Sequence, residues 1–119
     1  MPSFVSVRAN LSVTDVPQAA AYFHKMLGFD VRVSMGEPMN FAIVGREGAE
    51  MVLMAEPTAA VPAAASCYVN VTGIDEVHAH CVAQGAELSN PLTTWPWGQR
   101  DFVLRGPNGH QIAVGEHVG

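Results

Sequence analysis

Residues 5–13, VSVRANLSV, alternate strictly between apolar and polar side chains. Val5, Val7, Ala9, Leu11 and Val13 share one face of an extended chain, and Ser6, Arg8, Asn10 and Ser12 share the other. A period of two predicts a strand with its odd positions on a core. The period then changes. Val16, Ala20, Phe23 and Leu27 recur at helical spacing. Asp15 or Thr14 is placed to cap the start of this helix, Pro17 falls in its first turn, and Gly28 ends it.

The same order returns further along. LSVTDV (11–16) is matched by VNVTGI (69–74), an offset of 58 from Thr14 to Thr72. A weaker helical stripe follows at Ile74, Val77, Cys81 and Val82, closed by Gly85. FAIVGREGAEMVLM (41–54) lies over FVLRGPNGHQIAVG (102–115), and each reads as strand, glycine-containing turn, strand. FDVRVS and AELSN each add one short strand between helix and hairpin. Each half is therefore expected to be βαβββ: module one at about 4–55, module two at about 66–116, joined by an Ala/Pro-rich connector at about 56–65. The expected fold is α+β, a single domain of two tandem modules. Together they would form a curved, barrel-like mixed sheet around a cavity, with helices outside.

Strand parity sharpens this. Met51 and Leu53 correspond to Ile112 and Val114, a uniformly apolar face for the helices to cover. The opposite faces carry Ser, Asn, Tyr, Met and Gln, with few of the Lys and Glu of a solvated surface. That mixture suits a lined cavity.

Composition narrows the function classes. The chain has 119 residues, 49% of them hydrophobic, enough for one packed core. Net charge is −5 with no basic run, which argues against nucleic acid as a partner. No apolar run approaches a membrane span and the N-terminus lacks a signal-peptide pattern, so a cytoplasmic protein is expected. Cys67 and Cys81 match no zinc spacing and read as core residues. No two of His24, His78, His80, His110 and His117 have metal-helix spacing.

VTDVPQAAAYFHKMLGFDV followed by PWGQRDFVLRGPNGHQIAVGE resembles the vicinal oxygen chelate superfamily, which includes glyoxalases, extradiol dioxygenases and bleomycin resistance proteins. Gly106 stands where the family usually has Asp. In the family's enzymes four positions hold a divalent metal, and the resemblance places them at Arg8, Val52, Ser66 and Ala113. None is a normal ligand: guanidinium does not coordinate, and Val and Ala have no donor atom. The resemblance therefore points to the metal-free, bleomycin-resistance-like branch. These proteins sequester a flat aromatic small molecule such as an antibiotic, without cofactor or catalytic residues; the net charge of −5 adds the expectation of a cationic or amphipathic ligand. Phe41 of FAIV and Trp97 of PWG correspond to that branch's aromatic clamp. The family also implies a homodimer, with a first strand or a module exchanged between chains. The alternative is a glyoxalase-like lyase, isomerase or dioxygenase-type enzyme.

Polar candidates complete the expected ligand site. Arg8 either receives an acidic group or is neutralised by Glu50 across the pocket. Asn10, Tyr68, Asn70 and Gln111 supply neutral hydrogen bonds. Trp95 adds a second loop aromatic, facing either ligand or partner chain.

Overall fold

The computed structural model describes residues 1–56 and 65–119. Most of the expected connector lies outside the described residues. The first half runs β1 (Ala9–Val13), α1 (Val16–Leu27), β2 (Asp30–Met35), β3 (Phe41–Arg46) and β4 (Ala49–Ala55). The second repeats the order with β5 (Ala65–Asn70), α2 (Ile74–Ala83), β6 (Leu88–Thr94), β7 (Gln99–Arg105) and β8 (Gln111–His117).

Each half makes its own four-stranded sheet, ordered β1-β4-β3-β2 and β5-β8-β7-β6. The first strand of each half pairs parallel to the last, and the other pairs are antiparallel. The barrel-like sheet expected from the sequence is not formed. Each run of hydrogen-bonded strands ends at an edge, β1 in one sheet and β5 in the other, so two open sheets result.

Helix α1 begins and ends where its caps are written. The Asp15 side chain accepts from the Gln18 backbone N–H at 3.0 Å. Gly28 takes the left-handed conformation (φ 71°), and its N–H donates to the His24 carbonyl. Val16, Ala20, Phe23 and Leu27 are all buried. They pack on Leu11, Val13, Ala42, Val44, Met51 and Leu53, the apolar parity of β1, β3 and β4. Helix α2 is the weaker copy. Ile74 and Cys81 are buried, but Val82 is 52% exposed, so its expected place in the stripe is not observed. Phe102, Leu104, Ile112 and Val114 join the same hydrophobic cluster, so one core runs through both halves.

The first strand is shorter than its pattern. The register Ala9↔Met51 would set Val7 opposite Ala49, the first residue of β4, and Val5 opposite Glu47 in the β3–β4 turn, where β4 offers no backbone to pair. Residues 1–8 lie outside the sheet, with Phe4, Val5 and Val7 about nine-tenths or more exposed.

Hydrogen bonds tie the halves together. His110 is buried at their junction, its Nδ1 2.7 Å from Ser66 Oγ and its Nε2 2.8 Å from the Ser12 carbonyl. The Thr14 N–H donates to Asn108 Oδ1 at 2.9 Å. Cys81 Sγ donates to the Met26 carbonyl at 3.3 Å, joining α2 to α1. Burial raises the Cys81 thiol to about 11, consistent with a packing residue.

Candidate functional site

Both sheets leave a helix-free face, and strand pairing fixes what shares it. In the first half Asn10, Val52, Ile43 and Val33 form one row, and Ser12, Met54, Phe41 and Met35 the next. This surface is mostly apolar and partly open; Phe41 is half-buried while Met35 and Met54 are exposed. In the second half Tyr68, Ala113 and Val103 form a row beside Asn70, Gly115 and Asp101.

Arg8 does not stand free. Its Nε donates to Glu50 Oε1, and Arg32 Nη1 donates to the other carboxylate oxygen at 2.8 Å. Of the two roles open to Arg8, the geometry shows neutralisation by Glu50. Arg32 is a partner that the sequence reading missed. It sits where the β2–β3 register shifts between Val31 and Val33, an irregularity that simple alternation does not reveal. The hydrogen bonds from Arg8 and then Arg32 hold the Glu50 carboxyl below the ordinary glutamate value. A carboxylate with a depressed folded-state pKa adds stability above its unfolded value, and that stability is lost as pH falls through the folded one. A carboxyl-carbon NMR titration should therefore show Glu50 protonating below the ordinary range. Arg8→Ala with Arg32→Ala should raise its midpoint; an unmoved midpoint would remove the arginines as the cause.

Of the aromatic candidates, Phe41 lies in the first half and the two tryptophans in the second. Trp95 and Trp97 stack with centroids 5.0 Å apart and planes within 9°. Both flank the tight turn from β6 to β7, where Gly98 has φ 89° and Trp95 N–H donates to the Gln99 carbonyl at 2.7 Å. Trp97 is 67% exposed. Trp95 is fixed by its indole N–H, which donates to Asp101 Oδ1 at 2.8 Å. Tyr68 donates to Asp101 Oδ2 at 2.8 Å and accepts from Gln99 Nε2 at 2.7 Å. Desolvation raises the Tyr68 phenol above its ordinary value; the Asp101 carboxylate adds to this, and the Gln99 hydrogen bond opposes it. The phenol thus stays protonated and able to donate. The Tyr68 ring passes so close to Gly115 that a Cβ there would meet its hydroxyl. Asp101 and Gln99 were also missed, although Asp101 shares the parity of Val103 on the helix-free face.

An open cleft of about 940 Å³ runs between the halves, bounded by Val7, Ala9 and the β3–β4 turn on one side and by β5 on the other. Glu50, Tyr68 and Asn70 line it; Phe41, Trp97, Asn10 and Gln111 do not. Gln111 instead accepts a hydrogen bond from Ser89 Oγ at 3.2 Å. Among the described residues Phe41 and Trp97 do not meet each other: the stacked partner of Trp97 is Trp95, and Phe41 lies beside Met35 and Met54 in its row.

The donor chemistry at positions 8, 52, 66 and 113 does not fit a divalent metal. Arg8 is ion-paired, Val52 and Ala113 offer hydrocarbon, and Ser66 is hydrogen-bonded to an imidazole whose other nitrogen is also engaged. Among the described residues no three His, Cys, Asp or Glu side chains converge on a common point.

Known proteins share this architecture. A bleomycin resistance determinant encoded on transposon Tn5 superposes with a TM-score of 0.82 at 18% identity, covering 96% of this chain and 98% of its own. A bleomycin-binding protein from Streptomyces verticillus, solved with copper(II)-bleomycin, gives 0.71 at 22% identity, covering 100% and 99%. A lactoylglutathione lyase from Agrobacterium tumefaciens gives 0.74 at 20% identity, covering 97% and 94%. No curated protein matches the chain in sequence. The family model for the Glyoxalase/Bleomycin resistance protein/Dioxygenase superfamily matches residues 6–114. The repeated βαβββ order, the paired open sheets and that match agree: the chain belongs to the glyoxalase/bleomycin resistance/dioxygenase superfamily.

Proposed function

We propose that this protein is a metal-independent small-molecule binder that sequesters a flat aromatic ligand, as the bleomycin-binding relative holds bleomycin. The observation that carries the reading is the stacked Trp95–Trp97 pair, with Trp97 open to solvent and Trp95 anchored by a carboxylate. An exposed indole of this kind leaves a large apolar surface in water, which a planar ligand would cover. The unfit donor set at positions 8, 52, 66 and 113 weighs against the metal-dependent chemistry of lyases, isomerases and dioxygenases.

The complete site belongs to a homodimer. Phe41 lies on the helix-free face of the first sheet and Trp97 in the β6–β7 turn of the second, both outside the shared core, so a second copy brings one chain's Phe41 toward the other's Trp97. The exposed Phe4, Val5 and Val7 give that second copy an apolar arm to bury, by strand or module exchange. Asn10, Glu50, Tyr68, Asn70 and Gln111 serve as polar positions around the ligand, and Arg8 acts through Glu50.

Calorimetric titration with bleomycin and with planar dyes, on protein whose mass is checked by light scattering, tests this. Phe41→Ala combined with Trp97→Ala should weaken binding by roughly tens-fold while the dimer persists. A folded double variant that binds as tightly as wild type would remove the clamp. A monomer mass in wild type would remove the shared site.

A further inference from the structure

Asp101 differs from the ion-paired carboxylates of this chain. Glu50 is paired with Arg8 and Arg32, Asp75 with Arg100, and Glu47 with Arg46. Asp101 is half-buried on the helix-free face of the second sheet, and among the described residues it has no ion-pair partner. Its two hydrogen bonds come from neutral aromatic donors, Tyr68 Oη and Trp95 Nε1, one to each oxygen. An ionised carboxylate has about four acceptor positions, so about two remain. Backbone pairing on both sides of β7 and the two aromatic donors fix its orientation.

Trp95 touches both Asp101 and Trp97. The negative charge therefore lies one indole away from the exposed face of the stack. Indole faces attract cations, and a carboxylate attracts them more strongly when its neighbours are apolar. A neutral aromatic would gain only the stack. A cationic one would gain the stack, the ring quadrupoles and Asp101.

We propose that Asp101 is a specificity residue that selects planar aromatic ligands carrying a cationic nitrogen on or next to the ring system. This rests on the binding function proposed above and names its ligand class. Tyr68 and Gln99 are positioning residues, Tyr68 through its bond to Asp101 and Gln99 through its bond to Tyr68.

The test uses two probes of the same ring system: ethidium, a permanent planar cation, and its uncharged parent diaminophenylphenanthridine. Binding to the full chain is followed by dye fluorescence at a pH where the parent is neutral. Wild type should prefer ethidium. Asp101→Asn should cost ethidium about tenfold and leave the parent within about twofold. Asp101→Glu should keep the preference, and Trp97→Ala should weaken both probes. Should Asp101→Asn fail to fold, the preference in wild type must shrink as salt is raised while parent binding holds steady. Equal binding of both probes by wild type, or an unchanged preference in folded Asp101→Asn, overturns the proposal and leaves the binding function standing. If wild type binds neither probe nor bleomycin, the binding function fails and this proposal fails with it.

Discussion

Replacing Phe23 with alanine should lower stability by about 3–5 kcal/mol, among the largest losses expected of any single core truncation here. Phe23 is fully buried, meets Tyr22 edge-to-face at 5.3 Å and lies 6.3 Å from Phe29. Its ring fills the space between α1 and the apolar face of the first sheet, in the cluster that continues through Ile74 and Phe102 of the second half. The neighbouring strands are hydrogen-bonded in register and cannot collapse into the space it leaves. A domain of this size commonly has about 5–15 kcal/mol in total. The variant should therefore unfold at much lower urea with an unchanged slope. A loss below about 1 kcal/mol would mean that the core tolerates a cavity at this point.

Placing a methyl group at Gly115 should disturb both fold and ligand face. The new Cβ would lie 2.0 Å from the Tyr68 hydroxyl and 2.7 Å from the Asp101 Cβ. Tyr68 can swing aside, although it then gives up its bonds to Asp101 and Gln99. The Asp101 Cβ has no such freedom, because β7 is held between β6 and β8. The expected cost of Gly115→Ala is about 2–3 kcal/mol, together with weaker ligand binding. A double-mutant cycle with Tyr68→Ala checks the cause by thermal unfolding. Removing the ring should recover part of the loss, and simple additivity would exclude the Tyr68 clash as the source.

Much of this fold could be read from residue order. The alternation in β1, the α1 stripe with Asp15 and Gly28 as its caps, and the hairpin repeat each write their period directly into the sequence. The barrel-like sheet could not be read that way, because whether β1 and β5 pair beyond their own sheets depends on how the halves meet. Val5 shows a limit of pattern: alternation states which face a residue would use, not whether a neighbouring strand is long enough to receive it. The site was legible in its residue types but not in its partnerships. Glu50 beside Arg8 followed from parity. Arg32 depended on a register shift, and the Tyr68–Asp101–Trp95 group joins three strand regions of the second half through side-chain reach.

The parallel pairing of β1 with β4 also sets an order of events during folding. The β3–β4 hairpin closes a short loop, whereas Ala9 meets Met51 only after about 40 intervening residues have been gathered. β5 and β8 are in the same position. Local hairpins and α1 can form early, and the first strand of each half docks late. Until it does, the outer edges of β4 and β8 are unpaired templates that fit a first strand from any chain. Docking within the chain then competes with docking between chains, and protein concentration during synthesis or refolding decides the balance.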